Sequence, residues 1–216
     1  MKNNALIFDI DGTLWNASPA SARGWTLGLG KLGIDREISP EEVSRVAGLP
    51  YEQCVEILLP GMREKFPELL DVLNEAETEM VKAEGGKFYE GVLGGLLRLA
   101  GDYRLFLVSN CQDWYLRLFL DFSGIREVFS GFDCHGLSGL PKSEMLLNLK
   151  NKHSLINPVY IGDTAGDEAA AHLAGMEFIH AAWGFGRPDG TPKSVDSFIL
   201  LMEYVNLDKN PKGFRV

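Results

Sequence analysis

Asp9 and Asp11 stand two residues apart at the end of the apolar run Ala5-Leu6-Ile7-Phe8. Residues two apart on an extended chain point the same way, so both carboxylates can face one point. Two acids at the mouth of a hydrophobic strand are costly unless a cation or a substrate proton shares their site. Gly12 follows and lets the chain turn without a Cβ clash. The competing reading is a surface turn rich in Asp and Gly, so the rest of the chain has to decide.

Similar residues end other apolar runs. The run Arg104-Leu105-Phe106-Leu107-Val108 finishes in Ser109-Asn110, just before a helical stretch. A hydroxyl and free backbone N–H groups at a helix start suit a phosphate oxygen, although a plain N-cap would look the same. Lys142 follows Leu140-Pro141 and opens another helix, where a solvated lysine is the alternative. Val159-Tyr160-Ile161 leads into Gly162-Asp163-Thr164-Ala165-Gly166-Asp167. Asp163 and Asp167 are four apart and can share one side of a first helical turn. Acids favour helix N-termini in any case, but Asp163 directly follows a buried strand. Together these positions supply four carboxylates, one hydroxyl and one lysine. Hard oxygen ligands suit Mg²⁺, which takes one or two carboxylates plus waters and a substrate phosphate. The lysine would offset the remaining charge on that phosphate.

These groups need a scaffold that brings them to one edge. Apolar runs at 5–8, 104–108, 128–132, 158–161 and 177–181 read as strands. Helical patterns fill 92–100, 112–122, 143–152, 166–174 and 194–205. That alternation predicts an α/β protein with a parallel sheet covered by helices on both faces. In such sheets ligands bind beyond the carboxyl ends of the strands, where Asp9, Ser109 and Asp163 all fall. Between the first strand and Gly85-Gly86, a predicted hinge, the pattern is helical throughout. Ser18 can cap a helix beginning at Pro19, and Ser39-Pro40-Glu41-Glu42 is a capping box. A helix over 51–59 ends at Pro60-Gly61, and a further helical stretch covers 64–84.

The bulk numbers narrow the partners. A chain of 216 residues is long enough for one generous domain, or for a core with a smaller insertion. A net charge of −9 argues against nucleic acid or an anionic membrane surface as the main partner. Three cysteines without metal-like spacing fit a reduced, cytoplasmic chain. The sequence starts a strand almost at once, so no secretory signal is expected, and no apolar run nears the roughly 20 residues of a spanning helix. Cys111 reads as a small packed side chain, and the four histidines show no ligand spacing. Trp15, Trp25 and Trp114 could line a cleft, with burial as the default. The basic tail from Lys209 to Val216 is expected to be loosely ordered.

With these residues in hand a family resemblance is visible. FDIDGTL, then VSN, then PK, then GDTAGD resembles the four ordered motifs of the haloacid dehalogenase superfamily of phosphotransferases. The resemblance implies a Rossmann-like, doubly wound parallel core over residues 1–14 and 87–216, with an inserted α-helical cap over 15–86. That cap is similar to those of phosphoglycolate phosphatase-like members. The resemblance further implies Asp9 as nucleophile and Asp11 as general acid and base. It also implies Mg²⁺ held by Asp9, the Asp11 carbonyl and Asp163, with Asp167 beside them. Ser109 and Lys142 would hold the phosphate oxygens, and Asn110 with the Gly12 and Thr13 amides are further candidates for that cradle. Asp11 favours phosphate chemistry over dehalogenation, since halide leaves without an acid.

Two departures bear on substrate. Trp15-Asn16-Ala17-Ser18 stands where many relatives carry Asp-Ser, and Pro141 precedes Lys142 where Pro often follows. Gly48-Leu49-Pro50 is similar to a cap loop that dips into the site in relatives. Leu49-Pro50-Tyr51 replaces the Ser-Arg of related sugar-phosphate mutases. Arg23 and Arg45 could meet a carboxylate on the substrate. The reading is a Mg²⁺-dependent phosphatase of a small phosphorylated metabolite, phosphoglycolate-like or a sugar phosphate, acting as a monomer or homodimer. A sugar phosphomutase, or a non-catalytic binding protein on the same scaffold, is the alternative.

Overall fold

Four residues of β1 (Ala5–Phe8) are fully buried, as an uninterrupted apolar strand requires. The computed structural model describes residues 5–207, and the basic tail lies outside them. β1 pairs in parallel with β4 (Arg104–Ser109) on one side and β6 (Val159–Gly162) on the other. β5 (Phe129–Cys134) extends the sheet beyond β4. On the opposite side β7 (Glu177–Ala181) and β8 (Lys193–Val195) follow β6, giving the order β5-β4-β1-β6-β7-β8 with parallel pairing throughout. The chain therefore winds outward from β1 in one direction, then returns to β6 and winds out in the other. The crevice where it reverses is the expected ligand position.

Strand alternation sorts the core into two layers. Leu6 and Phe8 join Leu105 and Leu107 on one face, packed under α6 (Val92–Leu99), α7 (Asp113–Ser123) and α11 (Phe198–Leu207). Ala5 and Ile7 join Phe106 and Val108 on the other, under α9 (Lys142–Lys152) and α10 (Ala165–Leu173). This period-two split holds register, since a one-residue slip would turn each set to the wrong layer.

Between β1 and β4 two short strands, β2 (Trp15–Asn16) and β3 (Lys87–Phe88), pair antiparallel. They bracket α1 (Ser18–Lys31), α2 (Pro40–Val46), α3 (Tyr51–Leu58), α4 (Met62–Lys65) and α5 (Leu69–Glu84). These helices have a core of their own, built around Trp25, Leu29, Val55, Leu69 and Leu73. α1 lies close on α5, because a Cβ at Gly24 would come 2.5 Å from the Glu77 Cα.

The local reading needs four corrections. Trp15 does not begin a helix; it is fully buried in the β2–β3 ribbon that joins the two chain crossings. Ser18 is not the cap of α1 but its first residue, and the Asn16 Oδ1 accepts the Ser18 N–H at 2.9 Å. The stretch 64–84 is two helices, because Pro67 drives Phe66 out of the helical region to φ −131°, ψ 86°. The final helix starts at Phe198, and Ser194 belongs to β8, which satisfies the outer edge of β7.

The capping box of α2 is present as read. Ser39 Oγ accepts the Glu42 N–H at 3.2 Å, and Glu42 Oε2 accepts the Ser39 N–H at 2.9 Å. Ser39→Ala is expected to cost about 1 kcal/mol in urea unfolding; a change below 0.3 kcal/mol, on that order of magnitude, would show the box to be dispensable.

Candidate active site

β1, β4 and β6 end side by side, so the residues just past them share one crevice. Asp9 follows β1 and continues its pairing, donating its N–H to the Ile161 carbonyl at 2.9 Å. Gly12 turns the chain at φ +74°, and a Cβ there would sit 2.2 Å from Asp163 Oδ2. Only glycine permits both that conformation and that approach. Ser109 closes β4, Asp163 follows β6, and Lys142 opens α9.

The structure brings the acids and the lysine together. Carboxylate oxygens of Asp9, Asp163 and Asp167 lie within 4.8 Å of one another, and all three residues are buried. Lys142 Nζ sits 3.2 Å from Asp9 Oδ2 and 2.6 Å from Asp167 Oδ1. Burial alone would push Lys142 down, but Asp167 and Asp9 hold its ammonium above the ordinary lysine value.

Each acid is held differently. Lys142 Nζ, the Ser109 hydroxyl and the Ile10 N–H are the donors beside the Asp9 carboxylate. Desolvation pushes Asp9 up to about 6; Lys142 opposes the rise and Asp167 adds to it. Asp163 Oδ1 accepts the Thr13 hydroxyl at 3.2 Å, while its Oδ2 accepts the Phe185 and Gly186 N–H groups at 2.7 and 3.3 Å. Burial and the neighbouring Asp167 and Asp9 still push it up to about 7. Asp167 is the most fully engaged. Its Oδ1 takes Lys142 and the Tyr160 hydroxyl, and its Oδ2 takes the Asp163 N–H and both donors of Thr164. Desolvation favours its neutral form, yet Lys142 and these bonds outweigh it and hold the carboxyl below the usual range.

Asp11 accepts a hydrogen bond from the Tyr115 hydroxyl. Desolvation pushes Asp11 up to about 8 against that bond, with Asp9, Glu77 and Asp163 adding to the rise. The protonated form of Asp11 is thereby favoured.

Three of the predicted cradle groups have partners within the protein. The Gly12 N–H donates to the Trp15 carbonyl at 3.1 Å and the Thr13 N–H to the Ile10 carbonyl at 3.2 Å, closing their own turn. Asn110 Nδ2 donates to the Gly48 carbonyl at 2.8 Å, tying the cap loop to the core. Neither turn amide nor that nitrogen is directed at a phosphate in this arrangement. Arg23 and Arg45 are also misplaced for a substrate carboxylate: Arg23 pairs with Glu84 with its side chain 53% exposed, and Arg45 is exposed. Gly48 and Leu49 do reach the crevice, where they line a cavity of about 80 Å³ with Asp11, Ser109, Trp25 and Glu77. Trp25 and Trp114 line it, and Trp15 is buried in the core instead.

A divalent cation fits these residues. Among the described residues, three buried carboxylates cluster about the Lys142 ammonium, and burial with mutual repulsion pushes Asp9 and Asp163 up. All the side-chain donors are hard oxygens, which suit Mg²⁺ or a cation of the same kind.

Fold and site together define a doubly wound α/β protein with an acid–lysine centre at its switch point. The family model for haloacid dehalogenase-like hydrolases matches residues 6–181, and the chain belongs to that family. Solved structures share the fold over nearly the whole length. One is described as a predicted phosphatase from Clostridium acetobutylicum, with 20% identity, 95% of this chain and 99% of that one covered, and a TM-score of 0.78. A haloacid dehalogenase-like family hydrolase from Streptococcus pneumoniae matches with 20% identity, coverage of 93% and 97%, and a TM-score of 0.78. A predicted phosphoglycolate phosphatase from Haemophilus somnus 129PT matches with 20% identity, coverage of 93% and 96%, and a TM-score of 0.78. No curated protein sequence matches the chain. Among the described residues no helix is long and apolar enough to cross a membrane.

Proposed function

We propose that the protein is a Mg²⁺-dependent phosphatase of small phosphate monoesters, using Asp9 as nucleophile and Asp11 as acid and base. The observation that carries this reading is two acids in different surroundings at one crevice. Asp9 is buried with the Lys142 ammonium 3.2 Å from its Oδ2, while Asp11 beside it accepts the Tyr115 hydroxyl and is pushed toward its protonated form by burial. An Asp9 oxygen attacks phosphorus, and the bond from phosphorus to the ester oxygen breaks. The departing oxygen takes the Asp11 proton, which is worth about 10²–10⁴-fold for a positioned acid. Water then attacks the phospho-aspartate, gives its proton to Asp11, and releases phosphate with Asp9 restored.

Lys142 and Ser109 hold the non-bridging oxygens as charge builds on them. Asp9 and Asp163 would hold Mg²⁺, whose positive charge would let an anionic nucleophile meet an anionic phosphate. The engaged oxygens of Asp167 favour a positioning role, steadying Lys142 and the Asp163 N–H, over direct ligation. The helices over the crevice exclude bulk water from the first step. Relatives described as phosphatases lend support through the shared fold alone.

The test is release of inorganic phosphate from p-nitrophenyl phosphate. Turnover is expected with Mg²⁺, loss on adding EDTA, and recovery on restoring excess Mg²⁺. Turnover that is indifferent to EDTA would exclude the divalent ion. Transfer of phosphoryl between sugar positions without phosphate release would move the protein to the mutases.

A further inference from the structure

The cavity above the catalytic pair has a chemical character of its own. It opens at Asp11 and Ser109 on the core side and runs up to Glu77 on α5. Among the described residues, none that lines it is Lys, Arg or His. Lys142 lies below, engaged with Asp9 and Asp167. A substrate with a second anionic group, such as a carboxylate, would meet no compensating charge there.

What the walls do offer is acceptors and aromatic faces. Glu77 is only 7% exposed, an unusual place for a carboxylate without a cationic partner. Trp25 Nε1 donates to it at 2.7 Å, and Ser21 and Tyr51 also hydrogen-bond it. Burial pushes Glu77 toward its neutral form, and these three neutral donors only partly oppose that, so no cation balances the carboxylate. A further buried acceptor in the same walls, Asn110 Oδ1, has no hydrogen-bond partner among the described residues. The Asn110 orientation is fixed by chemistry, because its other end donates to the Gly48 carbonyl. Around them stand Trp25 and Tyr51, edge to face at 5.6 Å, and Trp114 and Tyr115, edge to face at 5.5 Å. A buried carboxylate, an unsatisfied amide oxygen and aromatic rings are the surroundings that recognise an organic ammonium, through N–H donation and cation–π attraction. A sugar hydroxyl could use the same acceptors but would leave Glu77 without a cationic partner.

We infer that the substrate is a short ω-ammonioalkyl phosphate, its phosphate at Asp9 and its ammonium against Glu77. This rests on the phosphatase reading above and names the substrate class for it. The small cavity, with room for roughly half a dozen water-sized groups, keeps the spacer short. Glu77 is a binding residue; the reaction remains that of Asp9 and Asp11.

Three esters of equal length separate the possibilities: 2-aminoethyl phosphate, 2-hydroxyethyl phosphate and carboxymethyl phosphate. With Mg²⁺ present, kcat/KM is expected to be at least about 10-fold higher for the amine than for the alcohol, and lowest for the carboxylate. Glu77→Gln should shrink the amine-to-alcohol ratio to within about 3-fold, and Glu77→Asp should restore part of it. Since a ratio within one preparation is read, partial loss of folded protein does not disturb it. A binding measurement runs beside the kinetics: calorimetric titration of the parent protein with the non-hydrolysable 2-aminoethylphosphonate and 2-hydroxyethylphosphonate. Preference for the amine in binding supports the inference. Turnover of p-nitrophenyl phosphate with no preference for the amine in either measurement overturns it and leaves the phosphatase reading standing. Turnover of none of these phosphoesters overturns that reading, and equal binding of the two phosphonates would then remove the ammonium site as well.

Discussion

Asp9→Asn is expected to lower turnover of p-nitrophenyl phosphate by at least about 10³-fold, with the fold intact. Asparagine matches aspartate in shape but has no anionic oxygen to attack phosphorus. The structural cost should be small and of favourable sign. Asp9 is 1% exposed and desolvation holds it up at about 6, above the ordinary aspartate value of 3.8. A carboxyl raised in this way weakens the folded state as pH climbs from the unfolded value through the folded one. At neutral pH without a divalent ion, a neutral side chain there removes that penalty while giving up the Lys142 pair. The variant in EDTA should therefore melt at or above the parent temperature. Mg²⁺ should stabilise it less than it stabilises the parent, since one hard ligand is weakened. Rates come from phosphate release, and folding from a thermal melt with and without Mg²⁺. A well-folded variant that keeps a tenth of the parent rate would remove Asp9 from the nucleophile's role.

Much of this arrangement is legible in the chain, for a physical reason. A parallel sheet buried on both faces needs uninterrupted apolar strands, and functional groups can only begin where those strands stop. Ala5–Phe8 followed by Asp9, and Val159–Gly162 followed by Asp163, carry that signal directly. The reading fails where a partner distant in sequence decides the outcome. Trp15 reads as the start of a helical segment because its pairing partner, Phe88, arrives more than seventy residues later. Lys193–Val195 has little strand pattern and becomes a strand only because β7 has an edge to offer.

In the site, residue types were readable and their hydrogen bonds were not. Gly12, Thr13 and Asn110 look like cradle residues, yet the two turn amides donate to carbonyls of their own turn and the Asn110 side-chain amide to the Gly48 carbonyl of the cap. Tyr115 gives no sign in sequence that it reaches Asp11 across 104 positions. The Phe185 and Gly186 amides that orient Asp163 come from a loop with no motif. Two signals were available in the pattern. Thr164 and Asp167 form a reciprocal capping box, a spacing that sequence does show. Leu73, Glu77 and Val81 lie at four-residue steps on one helix, so an acid stands inside a buried stripe. An acid so placed is either a defect or a ligand contact, and the cavity beside it favours the second.

Lys142→Met should produce the largest loss of stability, about 3–5 kcal/mol at pH 7.5 in EDTA. Methionine keeps most of the apolar stem and removes the charge. What it leaves behind is three buried carboxylates within 4.8 Å of one another and no ammonium at 3.2 Å from Asp9 or 2.6 Å from Asp167. The sign of the pH dependence follows from each acid. Asp9 at about 6 and Asp163 at about 7 already sit above 3.8, and losing Lys142 moves Asp9 further up. Their penalty grows as pH rises through the folded values, is full only above them, and fades as the acids protonate. Asp167 is held below 3.8 by Lys142, so it contributes stability above its unfolded value that is lost as pH falls through the folded one. Without the lysine that contribution is gone across the neutral range. Both effects act in the same direction. The gap between variant and parent is widest near pH 7.5 and narrows toward pH 5. Excess Mg²⁺ should narrow it too, because a bound divalent ion supplies the charge that the variant lacks. Urea unfolding at the two pH values, each with EDTA and with Mg²⁺, reads all of this. A loss under about 1 kcal/mol at pH 7.5, or one equal at both pH values, would mean that Lys142 does not balance these carboxylates, and the charge argument for the divalent ion would lose its basis.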